Sequence, residues 1–165
     1  MSVIAPVDSS KTTLTDGSPV TPDHRDIQAD GMQKGYVVLS AEERAKGFIR
    51  PVRQSYRHVG IRPKYPLRDL PPKELDMYTA EGYVKYEMYP ESHPFQPVVR
   101  GKYWTEAQLR SGCGAVTTMG LALAETYARD PVFYGSTFCS VCRKHFPVGI
   151  NGEFVWDGTD EKVGT

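Results

Sequence analysis

Two cysteines separated by two residues constrain the fold of this chain more than any other sequence feature. They are Cys139 and Cys142, in the stretch FCSVCRKHFPVG. Thiolates at this spacing reach one ion from a single tight turn, which is the usual half of a structural zinc site. Cys113, the third cysteine, lies 26 residues before Cys139 between two glycines. We therefore expect the fold to bring Cys113 back to this turn.

A tetrahedral zinc site needs a fourth ligand, which we expect to be a histidine. His58, in SYRHVG, is favoured because its neighbours look ordered. His93, in a proline-rich loop, is an alternative, and so is His145. His145 follows Cys142 by only three residues and would have to bend back sharply onto the same ion. His24 lies in the N-terminal tail and is the least favoured.

Two other interpretations of the cysteines stay open. A redox Cys-x-x-Cys pair normally opens a helix within a βαβ pattern, whereas the residues after Cys142 have the pattern of a turn and a strand. Alternatively, the cysteines are buried and bind nothing. Three cysteines cannot all pair, and the N-terminus has no secretory signal pattern. A reducing cytoplasm and a metal are therefore favoured over a disulfide.

The sequence does not predict an enzyme. It contains no Gly-x-Gly-x-x-Gly, Walker or Gly-x-Ser-x-Gly motif. The cysteines and histidine also lack the glutamate base that accompanies zinc deaminase motifs. We expect a closed zinc site rather than one that activates water.

Residues 1–34 are predicted to be a disordered or extended arm. They contain no Phe, Tyr or Trp and are rich in Ser, Thr, Asp and Pro. Such a segment buries too little apolar surface to offset its ordering entropy, unless a partner supplies the surface. No apolar run approaches the roughly 20 residues of a membrane span, so a membrane partner is not expected.

Residues 35–165 are predicted to form one α+β domain. The main helix is expected within GAVTTMGLALAETYARD, residues 114–130, where Val116, Met119, Leu123 and Tyr127 share one stripe. Cys113 would then lie at the helix N-terminus, which favours a thiolate.

The rest of this domain is predicted to consist of short elements. Capping signals at Ser40 and Thr105 and a proline-led segment at 71–82 indicate short helices. Tyr36–Leu39, Tyr83–Tyr89, VFYGSTFC and GEFVW have strand patterns. The predicted fold is a small antiparallel sheet with one main helix and short helices, stabilised by zinc. Glu125 and Arg129 are predicted to be an exposed i,i+4 pair.

The neutral net charge hides a basic middle segment. Arg44–Arg68 contains eight basic residues and no acidic ones, whereas the C-terminus is acidic. These side chains could bind the phosphate groups of a nucleic acid, with nearby aromatic rings stacking on its bases. The alternative is that they are solvated or pair with the acidic tail. The nucleic-acid candidates are Arg50, Arg53, Arg57, Arg62 and Lys64.

The stretches YVVLSAEERAKGFIRPVRQSYRHVG and CGAVTTMGLALAETYARDPVFYGSTFCSVCRKHFPVGINGEFVWDG resemble small uncharacterised proteins of tailed phages and prophages. Residues 36–60 and 113–165 carry the likeness, and residues 61–112 look like a variable insertion. The resemblance implies that YRHVG belongs with the Cys-x-x-Cys turn, which supports His58 as the fourth ligand.

The resemblance brings no established activity, and what it implies is a role rather than a reaction. We expect a non-catalytic, zinc-stabilised binding module that docks on a larger protein assembly, such as a phage virion or accessory component. Its location would be cytoplasmic or virion-associated. The alternative is a zinc-stabilised nucleic-acid-binding protein that uses the basic segment.

Overall fold

The computed structural model of the protein describes residue 7, residues 12–78 and residues 81–165. Its elements in chain order are β1 (Thr12–Leu14), β2 (Val37–Leu39), α1 (Ala41–Ala45), β3 (Ser55–His58), β4 (Leu67–Asp69), α2 (Pro72–Tyr78), β5 (Tyr83–Met88), β6 (Gly101–Thr105), α3 (Glu106–Leu109), β7 (Val116–Thr118), α4 (Leu121–Arg129), β8 (Ser136–Cys139), β9 (Lys144–Pro147) and β10 (Phe154–Trp156). Small antiparallel sheets and few helices confirm the predicted α+β class.

The chain divides into two compact units. The first unit combines Met1–Val59 with Cys113–Thr165, and the second, inserted unit is Gly60–Gly112. The inserted unit spans nearly the same residues as the insertion expected at 61–112. No helix in the described part of the chain has the length and apolar character to cross a membrane.

The described part of the first unit contains the helices α1 and α4 and three small sheets. The sheets are β1–β2, β10–β3–β7 and β8–β9, all antiparallel. Helix α4 contributes Ala124, Tyr127 and Ala128 to the buried core. The other buried members of this core are Val37, Tyr56, Met119, Tyr134, Cys139, Phe154, Trp156 and Val163.

The main helix is shorter than the sequence pattern predicts. Val116–Thr118 forms β7, which pairs with β3, and α4 begins only at Leu121 after Gly120. Three consecutive β-branched residues favour a strand because their side chains are stiff at χ1. Cys113 consequently precedes a strand, and the prediction that it opens the helix is wrong.

Helices α1 and α4 are joined by two ion pairs, one of which is fully buried. Arg129 is 1% exposed, and its guanidinium donates to Glu43 at 2.9 Å and to the carbonyl of Gly47 at 2.8 Å. Arg44 donates two hydrogen bonds of 2.7 Å to Glu125. The predicted exposed Glu125–Arg129 pair is therefore wrong, since both side chains are buried and each pairs with α1 instead.

The N-terminal segment is folded onto the first unit over residues 12–34. Strand β1 pairs with β2, and His24 is buried. The guanidinium of Arg25 lies 4.5 Å from the ring centre of Phe133. This differs from a disordered arm because aromatic rings elsewhere in the unit supply the apolar surface that residues 1–34 lack. Residues 1–6 and 8–11 lie outside the described residues.

The inserted unit is built on the antiparallel sheet β4–β5–β6 with the short helices α2 and α3. The buried carboxylate of Glu87 accepts hydrogen bonds from the indole of Trp104 at 3.0 Å and from the backbone of Lys64 at 2.7 Å. The two ends of this unit meet, because the backbone N–H of Ile61 donates to the hydroxyl of Ser111 at 2.9 Å.

Candidate metal centre

Four side chains of the first unit converge on one point. The ligand atoms of His58, Cys113, Cys139 and Cys142 all lie within 4.8 Å of one another, which is close enough to hold a metal ion. The Sγ atoms of Cys113 and Cys139 are 3.5 Å apart. Tetrahedral zinc with Zn–S bonds of about 2.3 Å places its sulfurs about 3.8 Å apart, whereas a disulfide needs about 2.05 Å.

The Cys-x-x-Cys pair lies in the turn between β8 and β9. Cys139 ends β8, and its sulfur accepts a hydrogen bond of 3.5 Å from the backbone N–H of Cys142. Arg143 has a φ of 57° and donates its N–H to the carbonyl of Cys139 at 2.8 Å. This left-handed residue reverses the chain directly after Cys142, so both sulfurs stay on one side of a tight turn.

The other two ligands lie where the chain enters and leaves the inserted unit. His58 ends β3, two residues before that unit begins, and Cys113 directly follows its last residue. The N–H of Gly114 donates to the carbonyl of His58 at 2.8 Å. Gly114 has a φ of 75°, which a side chain would strain. This loop places the Cys113 amide nitrogen 3.4 Å from His58 Nδ1.

The orientation of His58 is fixed on every side. Its Nδ1 lies 3.5 Å from the sulfur of Cys142, and its Nε2 lies 2.9 Å from Oε1 of Glu153. Its ring lies between Phe146 and Phe154, with centroid distances of 4.4 and 4.8 Å. A neutral imidazole that donates from Nε2 to the carboxylate leaves Nδ1 free to bind a metal.

Glu153 is the member of this site that sequence reasoning missed. The sequence places it only in the acidic C-terminal region, 95 residues from His58. The contact exists because Phe154 pairs with His58 across β10 and β3. No motif or spacing signals that pairing, so a register between distant strands would have been needed to find it.

The three thiols perturb one another. Burial of Cys139 opposes ionisation, but hydrogen bonds from the Cys142 backbone and the Cys113 side chain outweigh it and lower its pKa. Burial, reinforced by the two neighbouring sulfurs, raises the pKa of Cys142 to about 12. Three thiolates this close repel each other unless a cation lies among them.

The remaining histidines lie in other surroundings. The ring of His93 belongs to the inserted unit and stacks on Tyr89 at 3.9 Å. Nδ1 of His145 lies 3.0 Å from the hydroxyl of Ser136, and burial lowers its pKa. Among the described residues, the structure therefore brings His58 rather than these alternatives to the cysteines.

The basic candidates for nucleic-acid binding are divided between the two units. In the first unit, Arg53 pairs with Glu161 and Arg57 with Asp157. These are partners in the acidic C-terminus, as one of the two interpretations of the segment expects. The remaining three are Arg50, whose Nε donates to the Thr165 carbonyl at 3.2 Å, and Arg62 and Lys64 in the inserted unit.

Comparison with known proteins adds no second line of evidence. No protein-family model, curated protein or solved structure matches the chain. The resemblance to tailed-phage proteins stays a prediction.

Proposed function

We propose that the centre binds zinc and that the protein is a non-catalytic, zinc-stabilised binding module. The observation that carries the proposal is the convergence of three sulfurs and one imidazole nitrogen within 4.8 Å. Thiolate and imidazole donors in a tetrahedral set suit zinc, whereas calcium and magnesium prefer oxygen ligands.

A structural role follows from the number of ligands. Four protein ligands fill a tetrahedral site, so no position remains for a water or a substrate. Glu153, the carboxylate next to the centre, binds the far nitrogen of His58 and therefore orients a ligand instead of serving as a base for a metal-bound water. The metal would contribute directly to folding, because such a site is not preformed in the unfolded chain.

A binding task is supported by the surface of the inserted unit. The loop after β5 is ordered by backbone hydrogen bonds, such as that from Val99 to the carbonyl of Phe95 at 2.9 Å. It nevertheless exposes 61% of Phe95 and 90% of Val98. Ordered loops that present apolar side chains are typical of protein contacts. The larger assembly that the resemblance suggests is a phage particle.

Metal analysis tests the zinc site. Purified protein is expected to contain about one zinc per chain, and Cys139→Ser is expected to lose it and to unfold at a much lower temperature. Val141→Ala, an exposed position in the same turn, is the matched control and keeps the zinc. Wild-type protein that folds cooperatively without any bound metal would refute the proposal.

Cobalt substitution tests the closed coordination. Cobalt(II) in a tetrahedral site of three thiolates and one imidazole gives intense visible and thiolate charge-transfer bands. We expect those bands to stay unchanged when azide is added, because no coordination position is open. A spectral shift on adding azide would show an open position and would favour a catalytic metal.

The salt dependence of binding distinguishes a nucleic-acid-binding protein from the proposed protein-binding module. A phosphate-binding protein loses affinity steeply as salt rises, and Arg57→Ala would weaken it further. We expect no such binding, because Arg57 is paired with Asp157. Salt-dependent binding of single-stranded DNA or RNA that Arg57→Ala abolishes would favour the alternative function.

A further inference from the structure

The three cysteines of the centre differ in their exposure to solvent. Cys139 is buried and Cys142 is partly buried, whereas Cys113 is exposed. A small oxidant in solution can therefore reach Cys113 more readily than the other two cysteines. Reactivity of a thiolate toward oxidants follows its exposure, so Cys113 is the first sulfur to meet such a molecule.

Cys113 also has a sulfur within reach and room to move toward it. Its Sγ lies 3.5 Å from Sγ of Cys139, so a disulfide of about 2.05 Å requires the two atoms to approach by about 1.5 Å. Cys113 lies between Gly112 and Gly114, and a Cβ placed on Gly114 would meet no atom within 4 Å. Cys139 is held at the end of β8, so the Cys113 loop would make the movement.

We propose that the centre is a site of oxidative modification, at which a peroxide joins Cys113 to Cys139 as a disulfide and the metal is released. This inference rests on the proposed zinc site. It adds redox regulation to the structural role of the site, because the fold would lose its stabilising zinc when the surroundings become oxidising.

The oxidation of Cys113 and Cys139 by hydrogen peroxide proceeds in two steps. The thiolate of Cys113 attacks one oxygen of hydrogen peroxide, so an S–O bond forms, the O–O bond breaks and hydroxide leaves. The thiolate of Cys139 then attacks the sulfur of this sulfenic acid, so an S–S bond forms, the S–O bond breaks and a second hydroxide leaves. The two sulfurs lose two electrons and the peroxide gains two. Both hydroxides take up protons from the buffer.

The geometry favours Cys139 over Cys142 as the resolving partner. The Cys142 sulfur lies beside His58 Nδ1 at 3.5 Å, whereas the Cys139 sulfur lies beside Cys113. Once two of the four ligands are joined to each other, the centre retains only Cys142 and His58. Two ligands hold zinc weakly, so its release accompanies the disulfide.

Peroxide titration of the zinc-loaded protein tests the inference. Released zinc is followed with a chromogenic chelator, and the disulfide is located by mass spectrometry of unreduced peptides. We expect about one zinc released and one Cys113–Cys139 disulfide formed per peroxide consumed, with both reversed by dithiothreitol and added zinc. A Cys139–Cys142 disulfide, or zinc that stays bound at a peroxide concentration that oxidises a separate sample of the amino acid cysteine, would overturn the proposal.

A variant without the attacking sulfur sharpens the test. Cys113→His keeps a side chain that binds zinc but forms no sulfenic acid, so we expect zinc release by peroxide to slow at least about tenfold. Equal release from wild type and zinc-loaded Cys113→His would contradict the proposal. If this variant holds no zinc, the location of the wild-type disulfide decides alone. Purified wild type without zinc would instead refute the proposed site, before any oxidation is measured.

Discussion

At the scale of single residues, the site depends on how His58 is held as much as on the four ligand atoms. Glu153 accepts from Nε2, and Phe146 and Phe154 enclose the ring. The carboxylate selects the tautomer that leaves Nδ1 free, and it makes that nitrogen a stronger donor to a metal. The aromatic rings fix the plane of the imidazole, so little rotational freedom is lost when a metal binds.

Removing the carboxylate of Glu153 is expected to weaken metal binding without unfolding the zinc-loaded chain. Glu153→Ala deletes the acceptor for Nε2–H, and we expect zinc affinity to fall about tenfold to a hundredfold. Glu153→Gln keeps an acceptor oxygen and should fall between this variant and the wild type. Competition against a chromophoric zinc chelator measures the effect.

Glu161→Gln is the control for this experiment. Glu161 is another C-terminal carboxylate, but it pairs with Arg53 at the surface. It should leave zinc affinity unchanged. If Glu153→Ala binds zinc as tightly as the wild type, the carboxylate does not orient the ligand.

The residues of the site differ in how well they could be predicted from the amino-acid sequence. Cysteine is scarce here, with three in 165 residues, so its spacing carries information, and the structure brings all three together with the favoured His58. Glu153 is one of many acidic residues, and nothing distinguishes it until β10 pairs with β3. Ligands with rare chemistry are predictable, whereas the groups that orient them depend on tertiary register.

At the scale of elements, the contact of α1 with α4 depends on a buried ion pair. The side chains of Arg129 and Glu43 are both buried, with exposed fractions of 0% and 1%. Removing one partner of such a pair leaves an uncompensated buried charge, whereas replacing both with apolar groups is often tolerated. The sequence pattern did not predict this contact, because Glu125 and Arg129 lie four residues apart on α4 and could neutralise each other there.

A double-mutant cycle tests the ion pair. Arg129→Met and Glu43→Leu are each expected to lower the midpoint of thermal unfolding strongly, and the double variant should lose much less than the sum of the two single losses. Arg110→Met, which removes an exposed pair with Glu106, is the control and should leave the midpoint nearly unchanged. Additive losses in the double variant would show that the two charges do not stabilise each other.

The same pair makes a testable contribution to acid sensitivity. Hydrogen bonds from Arg129 and Lys46 lower the pKa of Glu43 from its ordinary 4.5. As the pH falls below this value, the unfolded chain takes up a proton that the folded chain does not, so the free energy of unfolding decreases. The contribution is fully present above about pH 4.5 and is lost as the pH falls through the folded pKa.

Urea unfolding at about pH 7 and at about pH 4 measures this contribution. The double variant Glu43→Leu/Arg129→Met lacks the titrating carboxyl, so its free energy of unfolding should fall less between the two pH values than that of the wild type. Titration of the metal site affects both proteins alike. An equal fall in both would contradict the assignment.

Element boundaries show where sequence reasoning stops. The capping signals at Ser40 and Thr105 are confirmed, since each hydroxyl accepts the predicted backbone hydrogen bond. These signals are local, because the capping hydroxyl and the N–H that it binds lie only three residues apart. The stripe from Val116 to Tyr127 was not decisive, because β3 offered Val116–Thr118 a strand partner that only the folded chain provides.

At the scale of the whole molecule, two ligands of the candidate metal centre, His58 and Cys113, flank the inserted unit in the sequence. Within the first unit, the N–H of His58 donates to the carbonyl of Ala115 at 3.0 Å, and Gly114 donates back to His58 at 2.8 Å. Within the inserted unit, Ile61 and Ser111 are hydrogen-bonded. Each unit therefore has its own adjacent chain ends, which is the arrangement that tolerates insertion or excision.

Excising the inserted unit tests whether the metal centre belongs to the first unit alone. Replacing Gly60–Gly112 with about four Gly and Ser residues spans the short gap between Val59 and Cys113. Because all four candidate ligands and the core around α4 lie outside the excised residues, we expect the shortened chain to bind about one zinc and to unfold cooperatively. Metal analysis and thermal unfolding, with and without a chelator, measure both properties.

Cys139→Ser in the shortened chain is the matched control, and it should remove zinc and cooperative unfolding together. A shortened chain that stays unfolded with zinc present would show that the first unit needs the insertion to form its centre. A shortened chain that folds equally well without zinc would show that its core alone is enough for folding. The metal that links His58 and Cys113 would then be needed only when the insertion separates these two residues. Only the first of these two outcomes would contradict the independence of the first unit, so the experiment separates the role of the metal from the role of the inserted residues.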